Sequence, residues 1–549
     1  MAPAGPDRTG RWERRGPVNA VIILATAVAI GLRLYQLSRP QYLLGVTEYD
    51  DGTDFGSAIL LVHGYLPYKD FLMVQPPGIT LLMAPVAALT KGMGTAWGMG
   101  VGRILTAVAG GASAGLGGLL VRHRGLLAVI LTCGILAVFP DSINAAHTVL
   151  LEPWLVLFCL LGALAVFDGD RLTSSRWRLV WGGVAFGAAG AIKVWAILPV
   201  MVILVLLLIA RPLRRAALYL AGVAAGFVIP VLPFAALAPG AFYRSVIVAQ
   251  LVRIDSVRIP LSYRLAQMAG LSDFTSPAAA VVGIITVALI AVILGSSLAA
   301  WRLTRQPPPV LEQFALATGA VTVIAFLWPA DFYYHYAAFL TPFLALAVAL
   351  PVARLADALG SAPGQPGRAR HSAADGPDGT LRRARPRPVL YACAVAGAVL
   401  LVLTGVQAHY ESTLRPPGSQ TSSGPAGGTR MVREVKRIVP PGSCVLTDQA
   451  SYTIAANRFL STHPGCVPIV DGVGSDYSLS HGLNAITGAG RVASVRALWL
   501  SALRGAQYVW LSPMSYKRIP WSTAEITQYF NRNFAPVRGV FGLYVRHSG

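Results

Sequence analysis

Four acidic residues lie close together directly after the first long apolar run of the chain: Glu48, Asp50, Asp51 and Asp54. Carboxylates clustered near a membrane surface are costly unless they meet cations, a metal or the hydroxyl groups of a substrate. The chemistry that they can supply is proton abstraction by a general base; the alternative is a solvated interfacial loop. A Pro-Pro-Gly element at 76–78 turns the chain back toward the membrane, which favours a cavity beside the acids.

A second polar segment contains Asp141, Asn144, His147 and Glu152. His147 and Glu152 are five positions apart, so they share a helix face only approximately. A lone histidine here also fits a hydrogen-bonded core residue, and an acid before Pro153 also fits a favourable place at a helix start. Both side chains lie at the entrance of an apolar run and are candidates for the site.

Lys193 is surrounded by apolar sequence, where an ammonium group needs a partner. Snorkelling to a lipid phosphate is the alternative to a role in a site. Further along, an aromatic run contains Asp331, Tyr334 and His335. An interfacial aromatic belt explains the tyrosines, but it explains Asp331 and His335 less well.

The segment 239–277 carries four arginines on the side of the membrane that usually has few. A planar guanidinium can hold two phosphate oxygens at once. Arg253 and Arg258 are the candidates for binding a phosphate, because Gln250 and Asp255 could orient them. Contact with lipid headgroups is the alternative.

The composition indicates that the elements that position these residues are membrane helices. The chain has 549 residues, 54% of them hydrophobic, and a formal net charge of +21. Its basic clusters occupy short gaps between apolar runs, which is typical of cytoplasmic loops in a multi-pass membrane protein and argues against a nucleic-acid partner. Soluble multidomain architectures and a single-pass anchored enzyme are excluded.

The apolar runs predict about eleven transmembrane helices, since a span needs roughly 20 apolar residues. The predicted spans are 18–37, 97–121, 125–140, 150–167, 179–192, 194–210, 216–238, 278–301, 314–329, 337–356 and 389–407. The run Ile79–Leu89 is too short and is predicted to be an interfacial jaw helix. This choice places the basic clusters and the N-terminus in the cytoplasm and the C-terminus outside. No cleavable signal peptide is expected, because the first apolar run is too long.

Five parts follow from this pattern: a cytoplasmic segment 1–17, a transmembrane module 18–356 with an outer jaw loop 38–96, a cytoplasmic linker 357–388, a last span 389–407 and an extracytoplasmic domain 408–549. The last part is predicted to be a small α/β domain. Its predicted strands are Cys444–Thr447, Val467–Val470, Tyr508–Leu511 and Val540–Val545, and its predicted helices are Val492–Leu503 and Thr523–Phe530. Cys444 and Cys466 begin two of these strands, as either a disulfide or two free thiols.

The first outer loop resembles that of the GT-C glycosyltransferases, polyprenyl-phosphate-sugar-dependent enzymes that include the bacterial aminoarabinose and protein O-mannosyl transferases. The resemblance rests on Asp50-Asp51-Gly52, an amphipathic helix, Gly64, Pro67-Tyr68 and Pro76-Pro77-Gly78. It extends more loosely over residues 18–350. In that family the acid pair of this loop is Asp-Glu, whereas this chain has Asp-Asp. The difference leaves open which of Asp50 and Asp51 acts as the catalytic base.

The resemblance implies roles for several candidates. One of Asp50 and Asp51 is the general base, and Glu152 completes the catalytic set, with Asp141 as the other candidate for that acid. Lys193 lies near the lipid phosphate. Arg253 and Arg258, selected above by the chemistry of the guanidinium group, are expected to bind the same phosphate. The residues expected to position the acceptor or the sugar are Glu48, His147, Asp331, Tyr334 and His335.

We therefore expect a mainly α-helical polytopic membrane protein with a GT-C-like fold and a small extracytoplasmic α/β domain, located in the plasma (inner) membrane. The expected activity is that of a hexosyl- or pentosyltransferase, which moves a sugar from a polyprenyl phosphate to a hydroxyl of a glycan, lipid or protein, with inversion. The sequence requires no cofactor and leaves room for a divalent cation. The alternatives are a transporter or flippase for a lipid-linked sugar and a non-catalytic glycan-binding membrane protein.

Overall fold

A computed structural model of the protein describes residues 16–254, 257–271, 278–360, 387–415 and 427–547. The α-helices of at least six residues up to the end of the transmembrane part are α1 (Gly16–Ser38), α2 (Tyr49–Val62), α3 (Gly78–Ala88), α4 (Thr95–Val121), α5 (Leu126–Val138), α6 (Pro140–Ala146), α7 (Leu151–Val166), α8 (Arg176–Ile192), α9 (Ile197–Ala210), α10 (Leu213–Leu237), α11 (Leu261–Met268), α12 (Ala279–Thr304), α13 (Val310–Leu327), α14 (His335–Gly360) and α15 (Arg387–Thr413). A two-stranded hairpin of β1 (Phe167–Asp168) and β2 (Arg171–Leu172) joins α7 to α8.

Helices lie in all eleven segments predicted as spans. Within the described ranges, seven of them are long and apolar enough to cross a membrane, and eight if the pair α5 and α6, bent by 53°, forms one span. Helices α7, α8 and α9 have only 16, 17 and 14 residues. The chain is thus a multi-pass membrane protein, and the total of eleven spans stays a prediction. The short apolar helix α3, with 11 residues, is the predicted jaw helix.

Helix α2 carries the acids of the outer loop and packs between the membrane helices and the C-terminal region. Asp50 and Asp51 occupy its first turn, where negative charge is favourable beside the unpaired N–H groups. On the next turn, Gly52 allows a close approach to helix 450–455, because a Cβ at this position would lie 2.1 Å from the backbone nitrogen of Ser451.

The C-terminal region combines five helices of at least six residues with a four-stranded sheet. The helices are α16 (Gly427–Ile438), α17 (Ala450–Ala455), α18 (Gly472–Ser480), α19 (Ala493–Gly505) and α20 (Ala524–Asn533), and the strands are β3 (Val445–Thr447), β4 (Tyr508–Trp510), β5 (Phe534–Pro536) and β6 (Leu543–Arg546). The sheet order is β3-β4-β6-β5, with β3 parallel to β4 and the other pairs antiparallel. Its core contains the buried Trp499 and Val509.

The strand predicted at Val467–Val470 is wrong, since this run joins no ladder among the described residues. Pro468 lacks the N–H group that a ladder needs. The run packs instead against α2, where the Thr53 hydroxyl donates to the carbonyl of Val470 at 3.2 Å. Cys466 consequently begins no strand, although a disulfide joins it to Cys444 in the structure.

Candidate functional site

The acids of α2 point in different directions because consecutive residues of a helix are rotated by about 100°. The side chain of Asp50 is 50% exposed, whereas that of Asp51 is 0% exposed. Asp54 lies one turn after Asp50 and is also buried. The four-residue spacing places Asp50 and Asp54 on the same face of the helix.

Asp51 is enclosed in a socket that joins α2 to α4. Arg103 of α4 donates to its carboxylate through two nitrogens, one of them at 3.1 Å, and the backbone N–H of Val149 donates to the other oxygen at 2.8 Å. The same guanidinium donates to the carbonyls of Tyr42 and Gly45, both at 2.9 Å. The side chain of Asp51 therefore holds α2 against α4 and is not accessible to a substrate.

Asp50 belongs to a different group, a chain of four charged or titratable side chains that we call the cavity cluster: Asp50, His335, Glu152 and Lys193. His335 links the two acids, with Nε2 3.8 Å from an Asp50 oxygen and Nδ1 2.8 Å from Glu152 Oε1. Lys193 Nζ lies 2.5 Å from the same Glu152 oxygen. The structure thus brings together residues that are separated by up to 285 positions in the sequence.

Each member of the cavity cluster other than Asp50 lies at the end of an apolar helix. Glu152 is in the first turn of α7, Lys193 follows α8 in an extended conformation, and His335 begins α14. All three are buried. The ammonium group of Lys193 also lies 3.7 Å from the ring centre of Trp195, a cation–π contact that compensates part of its lost hydration.

Glu48 and Tyr334 border the cavity cluster. The Tyr334 hydroxyl donates to Glu48 Oε1 at 3.1 Å. Burial raises the pKa of Glu48 to about 7, and the nearby charge of Asp50 acts in the same direction, whereas His335 opposes the shift. Glu48 therefore changes its charge near neutral pH.

Asp54 is a buried acid of the same acidic cluster, and its sequence context predicts no role for it. Its Oδ2 has no hydrogen-bond partner in the described structure. Burial, together with the charges of Asp50 and Glu152, raises the pKa of Asp54 well above its usual value. The sequence signal that identifies it is its position four residues after Asp50.

The two candidate phosphate arginines have different environments. Arg253 lies beside the cavity cluster, since it donates to the Tyr336 hydroxyl at 2.9 Å and the ring of Tyr336 is 5.0 Å from Lys193 Nζ. Its Nε is 4.0 Å from a carboxylate oxygen of Asp331. Arg258 is exposed and donates to the carbonyl of Leu327 at 2.8 Å.

Two other expectations about neighbouring residues have different outcomes. Gln250 does not orient an arginine, since its amide donates to the carbonyl of Val74 at 2.9 Å; Asp255 lies outside the described residues. His147 is separated from Glu152 and packs near the Asp51 socket, with its ring 5.3 Å from that of Tyr42.

The C-terminal region is attached to α2 between Glu48 and Asp50. The Tyr49 hydroxyl donates to Asp471 at 3.0 Å and accepts from the backbone N–H of Val473 at 3.0 Å. The guanidinium of Arg518 lies 4.4 Å from the centre of the Tyr49 ring, and Ser451 donates to the carbonyl of Glu48 at 2.5 Å. Burial raises the pKa of Asp471 to about 6. These contacts fix the backbone that carries Glu48 and Asp50.

A metal site is not formed by the described side chains alone: within those ranges, no three His, Cys, Asp or Glu residues are grouped so as to hold an ion. The divalent cation that the sequence leaves room for stays a prediction.

Comparison with known proteins identifies the fold. Residues 74–329 match the model of Glycosyltransferase family 87; this segment contains Glu152, Lys193 and Arg253 but neither the acids of α2 nor His335. A search of curated proteins found no match.

Several solved structures resemble this protein over most of its chain. ArnT from Cupriavidus metallidurans in the apo state has a TM-score of 0.56 at 16% identity, over 90% of this chain and 94% of that one. The same protein bound to undecaprenyl phosphate has a TM-score of 0.55 at 17% identity, over 96% and 97%. The apo oligosaccharyltransferase from Archaeoglobus fulgidus has a TM-score of 0.51 at 14% identity, over 91% and 70%. The resemblance to GT-C glycosyltransferases is confirmed, and the chain has their fold.

Proposed function

We propose that this protein transfers one sugar from a polyprenyl-phosphate donor to an acceptor hydroxyl at the extracytoplasmic face of the plasma membrane, with inversion at the anomeric carbon. The observation that carries the proposal is the combination, in one cluster, of a half-exposed carboxylate, Asp50, with a buried ammonium group, Lys193. Such a pair supplies the base for a hydroxyl and the cation for a departing phosphate.

On the acceptor side, Asp50 is the general base. Its carboxylate accepts the proton of the acceptor hydroxyl while that oxygen forms a bond to the anomeric carbon. His335, 3.8 Å from Asp50 and 2.8 Å from Glu152, positions the base. Glu48 and Tyr334 are the adjacent polar groups that can orient the acceptor or the sugar. Asp51 and His147 receive no role in transfer, because they belong to the socket around Arg103.

On the donor side, the bond from the anomeric carbon to the phosphate oxygen breaks, and negative charge develops on the phosphate. Lys193 uses one of its three N–H groups toward Glu152 and has others for phosphate oxygens. Arg253 adds a second cation close to it, with Asp331 beside its guanidinium. Preorganised cations lower the barrier by stabilising this charge.

A polyprenyl phosphate is the donor class that fits best. Lys193 directly follows the apolar helix α8, and Arg253 contacts Tyr336 near the start of α14, so neither phosphate cation belongs to a soluble nucleotide-binding domain. An ArnT structure of similar fold holds undecaprenyl phosphate. The acceptor class is a glycan, lipid or protein hydroxyl.

The test is an assay of the purified protein in detergent with a series of radiolabelled polyprenyl-phosphate sugars and envelope extracts as acceptors. We expect labelled product and release of polyprenyl phosphate. Detergent removes the two compartments that transport requires, so a flippase or a glycan-binding protein gives no product. Binding of the donor without turnover by any acceptor extract would contradict the proposal.

A further inference from the structure

The C-terminal region has a cleft that the transfer reaction described above does not use. Its volume is about 590 Å³, within the range of about 300–1,000 Å³ that is usual for ligand-binding clefts. One wall is the segment 485–491, which includes Arg491, and the other is the segment 516–524, which includes Tyr516 and Trp521. None of the residues of the cavity cluster lines this cleft.

Hydrogen bonds fix the two walls against each other at Gly490. The carbonyl of Gly490 accepts from the Thr523 hydroxyl at 3.1 Å and from Nη1 of Arg496, also at 3.1 Å. The same Arg496 nitrogen donates to the carbonyl of Arg491 at 2.8 Å, and Arg496 Nε lies 3.4 Å from a carboxylate oxygen of Glu525. Contacts within the protein thus hold the walls in place, and a ligand does not have to order them.

Arg491 differs from Arg496 in its surroundings. Its side chain is exposed, and its guanidinium has no hydrogen-bond or ion-pair partner among the described residues. The side chain runs along Gly488, where a Cβ would lie 3.6 Å from Arg491 Nε. The N–H donors of Arg491 are therefore available to a ligand, and a guanidinium can bind a carboxylate through two parallel hydrogen bonds.

Positive charge exceeds negative charge around the cleft. A second cleft of about 290 Å³ adjoins the first, because Arg496 lines both, and its walls also include Arg504 and Glu525. The two clefts together are lined by three arginines and one acid, and that acid already pairs with Arg496. An extended depression with an excess of positive charge fits a chain that carries negative charge.

Apolar surface is exposed in the same place. Among the described residues of the C-terminal region, large apolar side chains are exposed at four positions: Ile486, Met514, Tyr516 and Phe541. Ile486 and Tyr516 line the cleft, and Trp521 beside them is half-buried. Aromatic rings offer a large apolar face, against which the C–H face of a sugar ring can pack while its hydroxyls stay in water. Arginine and aromatic side chains in one cleft therefore indicate a ligand with both acidic groups and sugar rings.

One wall of the cleft is attached to the helix that carries Asp50. Tyr516 belongs to the short helix Ser515–Arg518. At the end of this helix, the Arg518 guanidinium lies 4.4 Å from the centre of the Tyr49 ring and donates to Gln449 Oε1 at 2.8 Å. A ligand in the cleft is therefore bound to a wall that is fixed relative to α2.

We propose that this cleft binds an acidic glycan chain, with Arg491 on a carboxylate and with Tyr516 and Trp521 against sugar rings. The cleft is a binding site separate from the cavity cluster, and no bond is made or broken in it. The site does not depend on the proposed function, because binding requires neither a donor nor turnover.

Isothermal titration calorimetry of the full-length protein in detergent, without any donor, tests the site. The acidic probe is an oligosaccharide of galacturonic acid, and the neutral probe is the same oligosaccharide with its carboxyl groups reduced to hydroxymethyl groups. We expect the acidic probe to bind about tenfold more tightly, the effect of one hydrogen-bonded charge. This difference should decrease at high salt, because salt screens exposed charges.

Two variants separate the charge from the aromatic surface. Arg491→Ala should weaken binding of the acidic probe about tenfold and leave binding of the neutral probe unchanged, whereas Tyr516→Ala should weaken binding of both. Arg433→Ala and Phe541→Ala are the matched controls, since these side chains are exposed on the C-terminal region but line neither cleft. Both controls should bind the probes as the wild type does.

Equal affinity of Arg491→Ala and the wild type for the acidic probe would overturn the proposal, as would a wild type that does not bind this probe. Equally tight binding of a polyglutamate peptide, which has the charge but no sugar rings, would also overturn it and make the cleft a docking site for an acidic protein segment. A wild type that binds the acidic probe but transfers no sugar would refute the proposed function and leave the glycan site standing.

Discussion

Two regions on different sides of α2 hold adjacent aspartates in contrasting environments. In the socket, Asp51 is completely buried and accepts from Arg103 and from the backbone N–H of Val149. In the cavity cluster, Asp50 is half exposed and has His335 3.8 Å away. A rotation of about 100° between consecutive residues separates the two sides.

The difference shows that the two adjacent acids combine a buried, ion-paired residue with a half-exposed one. The carboxylate of Asp51 is fully buried and accepts from fixed donors, so a substrate cannot reach it. The carboxylate of Asp50 is half exposed beside His335, so a substrate can reach it. The resemblance to GT-C enzymes leaves the choice between Asp50 and Asp51 open, and the structure favours Asp50 as the base.

The largest expected effect is that of Asp50→Asn on turnover. The amide is nearly isosteric but cannot accept the proton, so kcat should fall on the order of 10²–10⁴-fold, the usual contribution of a general base. Asp168→Asn is the control, because Asp168 lies on the hairpin after α7 with its side chain 76% exposed. Steady-state kinetics at saturating donor measure the effect, and a kcat within twofold of the wild type would remove Asp50 from the mechanism.

Substitutions in the socket around Asp51 should lower the stability of the protein. Asp51→Asn leaves the buried Arg103 guanidinium without its anion, and breaking a buried ion pair by removing one partner costs about 3–5 kcal/mol. We expect a marked fall in the melting temperature of the detergent-purified protein.

A double-mutant cycle distinguishes this role from catalysis. Arg103→Met should destabilise the protein in the same way, and the combination with Asp51→Asn should be much less than additive, because both changes remove the same pair. Additive losses would mean that the two residues act independently, contrary to the structural reading of Asp51.

Part of this comparison could be predicted from the sequence. The helices of the membrane part follow from apolar runs, whose lengths are local properties of the chain. The sequence makes Lys193 a candidate because an ammonium group between apolar runs needs a partner, Glu152 because it lies at the entrance of an apolar run, and His335 because an aromatic belt does not explain it. The structure places the three in contact. For Lys193 the sequence predicts a lipid phosphate as the partner, whereas the structure pairs it with Glu152.

Other features depend on partners that are distant in sequence. Arg103 lies 52 positions from Asp51, and nothing in its local pattern indicates this contact. The unequal placement of Arg253 and Arg258 likewise depends on α13 and α14. The run Val467–Val470 has the composition of a strand but packs against α2, because its neighbours in space, rather than its propensity, determine its conformation.

On the cavity side, Glu48 makes the stability of the protein depend on pH. Glu48 has a folded-state pKa of about 7, raised mainly by burial, so the folded protein binds its proton more tightly than the unfolded chain does. The stability that this group contributes is complete below about pH 4.5, the usual pKa of a glutamate, and is lost as the pH rises toward 7.

Replacement by Gln removes this titration. The melting temperature of Glu48→Gln should therefore exceed that of the wild type by more at pH 7.5 than at pH 5, with both proteins measured in the same detergent and ionic strength. Other acids titrate equally in both proteins, so the difference isolates Glu48. A constant difference between the two pH values would show that Glu48 is not a desolvated acid.

The smallest expected effect concerns a second pair of like residues with unlike surroundings. Arg253 lies beside Tyr336 and Asp331. Arg258 is exposed and donates to the carbonyl of Leu327. Lysine keeps the charge but loses the planar fork that holds two oxygens. We expect Arg253→Lys to raise the donor KM about tenfold, equivalent to about 1.4 kcal/mol, and Arg258→Lys to change it less than twofold, with acceptor KM unchanged in both.

Titrating donor at fixed acceptor measures both variants. Equal donor KM values for Arg253→Lys and the wild type would make Arg253 a headgroup contact and leave Lys193 as the principal phosphate cation.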